Sequence, residues 1–223
     1  MAALAGEARP RLLVTGFGPF PGAPVNPTEK LIEALAADPA ALDGLAEFRT
    51  EVLPVEYAAV PGRLDALGAE FAPDIAIHFG LSAEAQGFTL EKRAQNVVAA
   101  GRPDNAGDLP AETTIMPGGG DLAATLPLEP IHAALAAKGL PVSWSDDAGG
   151  YLCNYLFYLS CARLRAAFAP CMAGFIHVPP LRTPGEGGPA NAMSLDELLA
   201  GALAVIETCV GEWQRRSRPH FAG

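Results

Sequence analysis

Apolar positions recur along the chain with two alternating periods, short continuous runs and helical stripes. The run Leu12-Leu13-Val14-Thr15 ends at Gly16-Phe17-Gly18-Pro19-Phe20-Pro21-Gly22, as a buried strand feeding a loop does. A helix follows, because Asn26 suits an N-cap, Pro27 suits the first helical position, and Leu31, Ile32 and Leu35 share one face up to about Ala37. The spacing predicts a second strand over 48–55 and a helix over 57–71, carried by Val60, Leu64, Leu67 and Phe71. Residues 74–80 read as a third strand, buried on both faces. From 81 to about 127 the pattern weakens, and Pro103, Pro110 and Pro117 predict long loops with room for a short strand or hairpin. Loops of that length in a compact domain tend to carry function. Order returns with a helix over 128–138 closed by Gly139, a strand over 140–145, a helix from about 151 to 168 and a strand over 174–178. Ser194 and Glu197 then form a capping box before a long amphipathic helix ending near Arg216.

This alternation predicts one α/β domain over residues 1–223, a three-layer α/β/α sandwich around a mostly parallel, mixed central sheet, with 1–10 and 217–223 as loose tails. A chain of 223 residues, 50% of them hydrophobic, can bury one substantial core. Fifteen Lys and Arg against 25 Asp and Glu leave a net charge of -10 and no basic run, which argues against nucleic acid and anionic membrane as partners. No apolar stretch is long enough to span a bilayer and the opening MAALAGEARP has no apolar signal core, so a cytoplasmic protein is expected. Cys153, Cys161, Cys171 and Cys209 form no C-x-x-C pair and meet no histidine pair at metal spacing, so they read as reduced thiols rather than zinc ligands or disulfides.

In a sheet of this kind ligands bind where loops leave the carboxyl ends of strands. Cys153 follows a Gly-Gly turn and falls in the first turn of an expected helix, where free N–H groups and the helix dipole favour a thiolate; the competing reading is a small buried residue on an apolar face. His177, at the end of a strand 24 residues later, is within reach of it through a β-α-β return, or is a packed ring. Glu91 is a third group to hold the ring, or a surface carboxylate paired with Lys92 or Arg93, and Asp104 is the next candidate for the third place. Cys161, Cys171 and Cys209 read as packing residues, and His78, His132 and His220 as structural or solvated.

Four blocks join these residues. They are Thr15-Gly16-Phe17-Gly18-Pro19-Phe20 with Val25-Asn26-Pro27; Thr89-Leu90-Glu91-Lys92 with Asn96 and Pro103-Asp104-Asn105; Asp147-Ala148-Gly149-Gly150-Tyr151-Leu152-Cys153-Asn154; and Gly174-Phe175-Ile176-His177-Val178-Pro179. In this order and spacing the chain resembles the pyroglutamyl peptidase I, or pyrrolidone-carboxylate peptidase, family of cysteine peptidases. The resemblance implies Cys153 as nucleophile, His177 as base and then acid, and Glu91 as the carboxylate that orients His177. It implies an apolar pocket for the pyroglutamyl ring at Phe17, Phe20 and Leu152, with the lactam meeting backbone groups near Asn26. Two positions depart from the family pattern. Leu81 stands where many bacterial members carry a substrate-facing glutamine, and Arg102, an aid to the oxyanion, is displaced by one position before the Pro-Asp-Asn triplet. The implied substrate is a peptide with an N-terminal pyroglutamate, without cofactor or metal, and the implied assembly is a homo-oligomer served by apolar loops near Ile115-Met116-Pro117. Two rival readings are a thiol amidase acting on another small N-acyl or cyclic-imide group, suggested by Leu81, and a binding homologue without turnover.

Overall fold

The computed structural model describes residues 9–38, 42, 45–99, 101–163, 165, 167–182, 185 and 188–217. Most of the expected loose tails, and His220, lie outside the described residues. In chain order the elements are β1 (Arg11–Phe17), α1 (Pro27–Ala37), β2 (Glu47–Leu53), α2 (Ala59–Phe71), β3 (Ile75–Leu81), β4 (Phe88–Glu91), β5 (Arg93–Ala94), β6 (Leu122–Ala123), α3 (Leu128–Ala137), β7 (Val142–Ser145), α4 (Leu152–Ala162), β8 (Met172–Val178) and α5 (Leu195–Ser217).

Six strands form the central sheet in the order β2-β1-β3-β8-β4-β7. β2, β1, β3 and β8 run parallel, β4 is antiparallel to β8, and β7 runs parallel to β4. The period of two sorts the strand residues between faces. Leu12, Val14, Ile75, Ile77 and Ile176 pack with α1, α3 and α5 through Leu31, Leu35, Leu135, Leu198, Val205 and Cys209. Leu13, Ala76, Ala173 and Phe175 face the other way, onto α2 and α4 at Val60, Leu64, Leu67, Leu156 and Phe157. The architecture is therefore the α/β sandwich with a mostly parallel, mixed sheet.

Cap chemistry places the helix starts where the residues demand. Asn26 Oδ1 accepts from Thr28 N at 3.0 Å to open α1, and Ser194 and Glu197 exchange bonds of 2.7 and 3.2 Å at the start of α5. The room left for a short strand after β3 is filled by Phe88–Glu91, which enters the central sheet between β8 and β7, a place the sequence did not locate. Four residues are too few to show a period, and a partner running the opposite way leaves no β-α-β signature. One expectation fails: the helix begun by Leu152 stops at Ala162 rather than Phe168, since Arg163 takes a left-handed φ of 51°. Without a glycine at that position the sequence carries no stop signal.

Across the middle of the sheet Thr15, His78 and Phe175 stand in register on β1, β3 and β8. His78 is fully buried, with Nδ1 2.8 Å from Thr15 Oγ1 and Nε2 2.8 Å from Ser160 Oγ on α4, so it ties α4 to the sheet. Burial pulls its pKa from 6.5 down to about 3. A ring kept neutral in the fold but free to protonate when unfolded stabilises the protein fully above the unfolded pKa. That stability is lost as pH falls toward the folded value, at about 1.4 kcal/mol per pH unit. We expect His78→Gln, which bonds but does not titrate, to be less stable near neutral pH and to lose less stability than the parent between about pH 6.5 and pH 4. Urea unfolding across that range checks this, and equal slopes for the two proteins would assign the acid loss to other groups.

Candidate active site

The turn before α4 is built by its own side chains. Asp147 N donates to Ser145 Oγ at 3.0 Å, Asp147 Oδ1 accepts from Gly149 N at 2.9 Å, and Gly149 takes a φ of +76°. Tyr151, the N-cap, makes no side-chain cap bond, so the first-turn N–H groups of α4 are left open at the positive end of the helix. Cys153 is the second residue of that turn. Its neighbour Asn154, fully buried, accepts from Gln95 N at 2.8 Å and donates to the carbonyls of Gln95 and Val97 at 2.8 and 2.9 Å, which anchors the turn to the segment after β5. Gly80 makes the space for the thiol. A Cβ there would lie 2.5 Å from Phe175 Cζ and 3.0 Å from Cys153 Sγ.

His177 stands opposite Gly80 on β3 and Thr89 on β4. Glu91, two residues beyond Thr89, points to the same face. Its Oε1 lies 2.7 Å from His177 Nδ1, and the two residues are 1% and 7% exposed. Glu91 Oε2 is buried with no hydrogen-bond partner among the described residues. The Cys153 thiol is the other polar neighbour of the ring. Burial works against a charged imidazole, but hydrogen bonds and charge from Cys153 and Glu91 outweigh it and raise the His177 pKa to about 9. Lys92 and Arg93 do not engage Glu91; they turn to Asp146 at 2.6 and 3.6 Å. Glu91 is thus a buried strand carboxylate, not a surface one.

These groups open onto a cavity of about 610 Å³. Its lining includes the apolar Phe17, Phe20, Val55, Leu81 and Leu152 and the polar Ser82, Glu84, Thr89, Ser145 and Asp147, with Cys153 and His177 also on its wall. Asn26 lines it as well, but its side chain is committed: Nδ2 donates to Gly18 O at 2.9 Å, and Oδ1 accepts from Thr28 N and Oγ1. Any lactam bond near Asn26 therefore belongs to backbone atoms.

Arg102 sits at the cavity edge with its guanidinium 4.2 Å from the Tyr151 ring centroid and 5.5 Å from that of Phe20. The loop that delivers it is clamped. Asp104, 5% exposed, accepts from Tyr57 N at 2.8 Å, Ala106 N at 2.9 Å and Asp108 N at 3.0 Å, while Asn105 donates to Val55 O and Pro19 O. Tyr151 Oη donates to Pro103 O at 3.0 Å, and Tyr57 meets Tyr151 edge-on at 5.7 Å. All of Asp104's side-chain bonds go to backbone N–H groups, so it serves the loop, and the carboxylate that meets His177 is that of Glu91. Sequence reasoning missed the parts played by Asn154 and Tyr151, whose only signal was proximity to Cys153, and by Tyr57, which carried none.

Among the other thiols, Cys209 is fully buried in α5 and burial raises its pKa, and Cys161 is pushed up to about 12 by burial. Cys171 departs from the packing expectation. It is exposed just before β8, with its thiol donating to Asp74 O at 3.1 Å, because the carbonyl it reaches lies at the sheet's rim. His132 stacks on Trp144 at 4.8 Å.

A family model described as pyroglutamyl peptidase matches residues 10–212. The chain is 38% identical over 212 residues to a pyrrolidone-carboxylate peptidase of Pyrococcus furiosus, covering 91% of this chain and 99% of that one. It is 35% identical over 198 residues to that of Clavibacter michiganensis subsp. michiganensis, covering 88% and 91%. The crystal structure of pyrrolidone carboxyl peptidase from Thermus thermophilus superposes with a TM-score of 0.78 at 35% identity, covering 88% and 99%.

Two measurements check these environments. Brief iodoacetamide treatment of the native protein, read by peptide mass, is expected to label Cys153 first and Cys171 more slowly, leaving Cys161 and Cys209 untouched; fastest labelling of Cys171 would remove the special status of Cys153. Asp104→Ala should cost about 1–3 kcal/mol in urea unfolding through its orphaned backbone donors. It should also raise KM more than it lowers kcat, since it loosens the wall that carries Arg102.

Proposed function

The chain belongs to the pyroglutamyl peptidase family, and we propose that it hydrolyses the amide bond after an N-terminal pyroglutamyl residue with Cys153, His177 and Glu91 as its catalytic groups. It is a cysteine-type omega peptidase. The observation that carries the reading is the buried 2.7 Å bond from Glu91 to His177 beside a cysteine at an open helix N-terminus. A binding homologue has no need of that arrangement, and the thiol-amidase reading has only Leu81 in its favour.

Glu91 occupies Nδ1 of His177, which leaves Nε2 to take the proton of the Cys153 thiol. The thiolate attacks the acyl carbonyl of the pyroglutamyl residue, and the tetrahedral oxyanion is received by the N–H of Cys153, with Arg102 adding positive charge from the cavity edge. Imidazolium then gives its proton to the departing amine as the C–N bond breaks, leaving a thioester. Water, deprotonated by His177, attacks the thioester and releases pyroglutamate and the free thiol.

The ring rests between apolar surfaces. A lactam has two apolar faces and two polar atoms, so Phe17, Phe20 and Leu152 supply contact while backbone groups near Asn26 read the polar edge. With Leu81 in place of a glutamine, discrimination from a proline ring falls to those backbone groups.

Cys153→Ala should abolish cleavage of a pyroglutamyl amide, whereas alanine at Cys161, Cys171 or Cys209 should retain most of it. His177→Ala should lower kcat/KM by several orders of magnitude, and Glu91→Gln by less. The pH profile is more discriminating. Because the ring must be charged to donate to the amine, kcat/KM should fall as pH rises through the His177 pKa of about 9. Glu91→Gln removes a charge that raises that pKa, so its alkaline limb should move to lower pH. An unmoved limb would take the third place from Glu91.

A further inference from the structure

Most side-chain donors on the cavity wall are already used within the protein. Asn26 Nδ2 donates to Gly18 O, Ser145 Oγ to Asp147 O at 3.1 Å and Tyr151 Oη to Pro103 O, while Thr89 Oγ1 lies 3.2 Å from Ser143 Oγ. Outside Cys153 and His177 this leaves Ser82 and Arg102 without an acceptor among the described residues, and of the two it is Arg102 that is held against Phe20. The wall carries no other arginine and no lysine among the described residues.

Arg102 is set in place from two sides. Its guanidinium lies 4.2 Å from the Tyr151 ring centroid and 5.5 Å from that of Phe20, within reach of the negative face of each ring. Asn105 Nδ2 donates to Pro19 O at 2.8 Å, which ties the loop of Arg102 to the loop of Phe20. Asp104, the nearest carboxylate in sequence, has both oxygens engaged by backbone N–H groups and is not its partner. Attraction to aromatic faces consumes none of the five N–H donors of a guanidinium. A charged set of donors therefore stands unmatched beside the aromatic wall against which the five-membered ring rests.

We propose that Arg102 is a specificity-determining residue of the ring site, donating to the lactam carbonyl and repelling the ammonium of an unmodified N-terminal proline. This rests on the peptidase reading above, and Arg102 shares the discrimination with the backbone groups near Asn26. A pyroglutamyl and a prolyl ring have nearly the same outline and the same apolar faces. The first is neutral and carries a carbonyl acceptor; the second is charged at neutral pH and carries none. Apolar walls separate such a pair poorly, whereas one fixed cation acts on both differences in the same direction. Arg102 is exposed, so water screens it and the preference that it adds is about tenfold.

The test reads occupancy rather than turnover, through the protection that a bound amide gives Cys153 against iodoacetamide. Pyroglutamamide, cyclopentanecarboxamide and prolinamide share a five-membered outline and differ in carbonyl and charge, and in the parent protein their protecting strength should fall in that order. Arg102→Met keeps a long unbranched side chain between the two rings but removes the donors and the charge, so the preference for pyroglutamamide over prolinamide should shrink about tenfold. Arg102→Lys keeps the charge and should still exclude prolinamide. A loosened loop would weaken all three amides alike, and lost charge at the oxyanion would lower kcat without altering protection. No preference in the parent, or one that Arg102→Met leaves standing, overturns the proposal and spares the peptidase reading. A parent that shows the preference but cleaves no pyroglutamyl amide overturns the peptidase reading alone, and protection by none of the three overturns both.

Discussion

The bond between Glu91 and His177 constrains more of this structure than any other interaction. Taking a carboxylate and an imidazole out of water costs several kcal/mol for each charged group, and only close geometry between them offsets it. At 2.7 Å, with both residues almost fully buried, neither can be lost without leaving the other stranded. The pair also fixes topology. Glu91 reaches Nδ1 only because β4 lies directly beside β8, so a sheet that is otherwise parallel at its centre admits a reversed strand. With Oε2 unpartnered among the described residues, the carboxylate directs its charge at one ring nitrogen rather than spreading it over a network. That costs stability and keeps the imidazole charged.

The Cys153 thiol is positioned by different means. α4 is held at its start by Asn154 against Gln95 and at its far end by Ser160 against His78, so both ends of the helix that carries Cys153 are fixed. Gly80 then lets the thiol approach the strand that runs beside His177. The site is therefore assembled from a strand pair, a helix seat and an absent methyl group, and each belongs to the fold before it belongs to the chemistry.

Most of this was legible in residues whose local pattern and chemistry agree. Asn26-Pro27 and Ser194 with Glu197 announce helix starts, and the runs at 12–15, 75–80 and 174–178 announce buried strands. The place and direction of β4 were not legible, because a four-residue strand is defined by its neighbours rather than by its own period. The end of α4 was hidden for a related reason: Arg163 adopts a conformation its side chain does not advertise. For the site, spacing alone left Cys153, His177 and Glu91 each with a plain structural alternative. Only a contact between residues 86 apart in sequence separates a buried carboxylate from a surface one. Asn154 and Asp104 act through backbone groups far away in the chain, and no pattern in their own segments points to those partners.

The two buried strand histidines show why residue type alone does not decide chemistry. His78 meets only hydroxyls, which accept or donate equally well to a neutral ring, so burial is unopposed and holds it neutral. His177 is also buried, but a carboxylate and a thiol face it, and its pKa is raised to about 9. Their linkages to stability have opposite signs. The His78 contribution is complete above the unfolded histidine pKa and fades as pH falls below it, whereas that of His177 is complete below that pKa and fades as pH rises through about 9. Near neutral pH each ring is close to its favoured state, one neutral and one charged. One histidine can then seat the helix of Cys153 without titrating while the other holds a proton beside the thiol, a division of labour set entirely by what each ring touches.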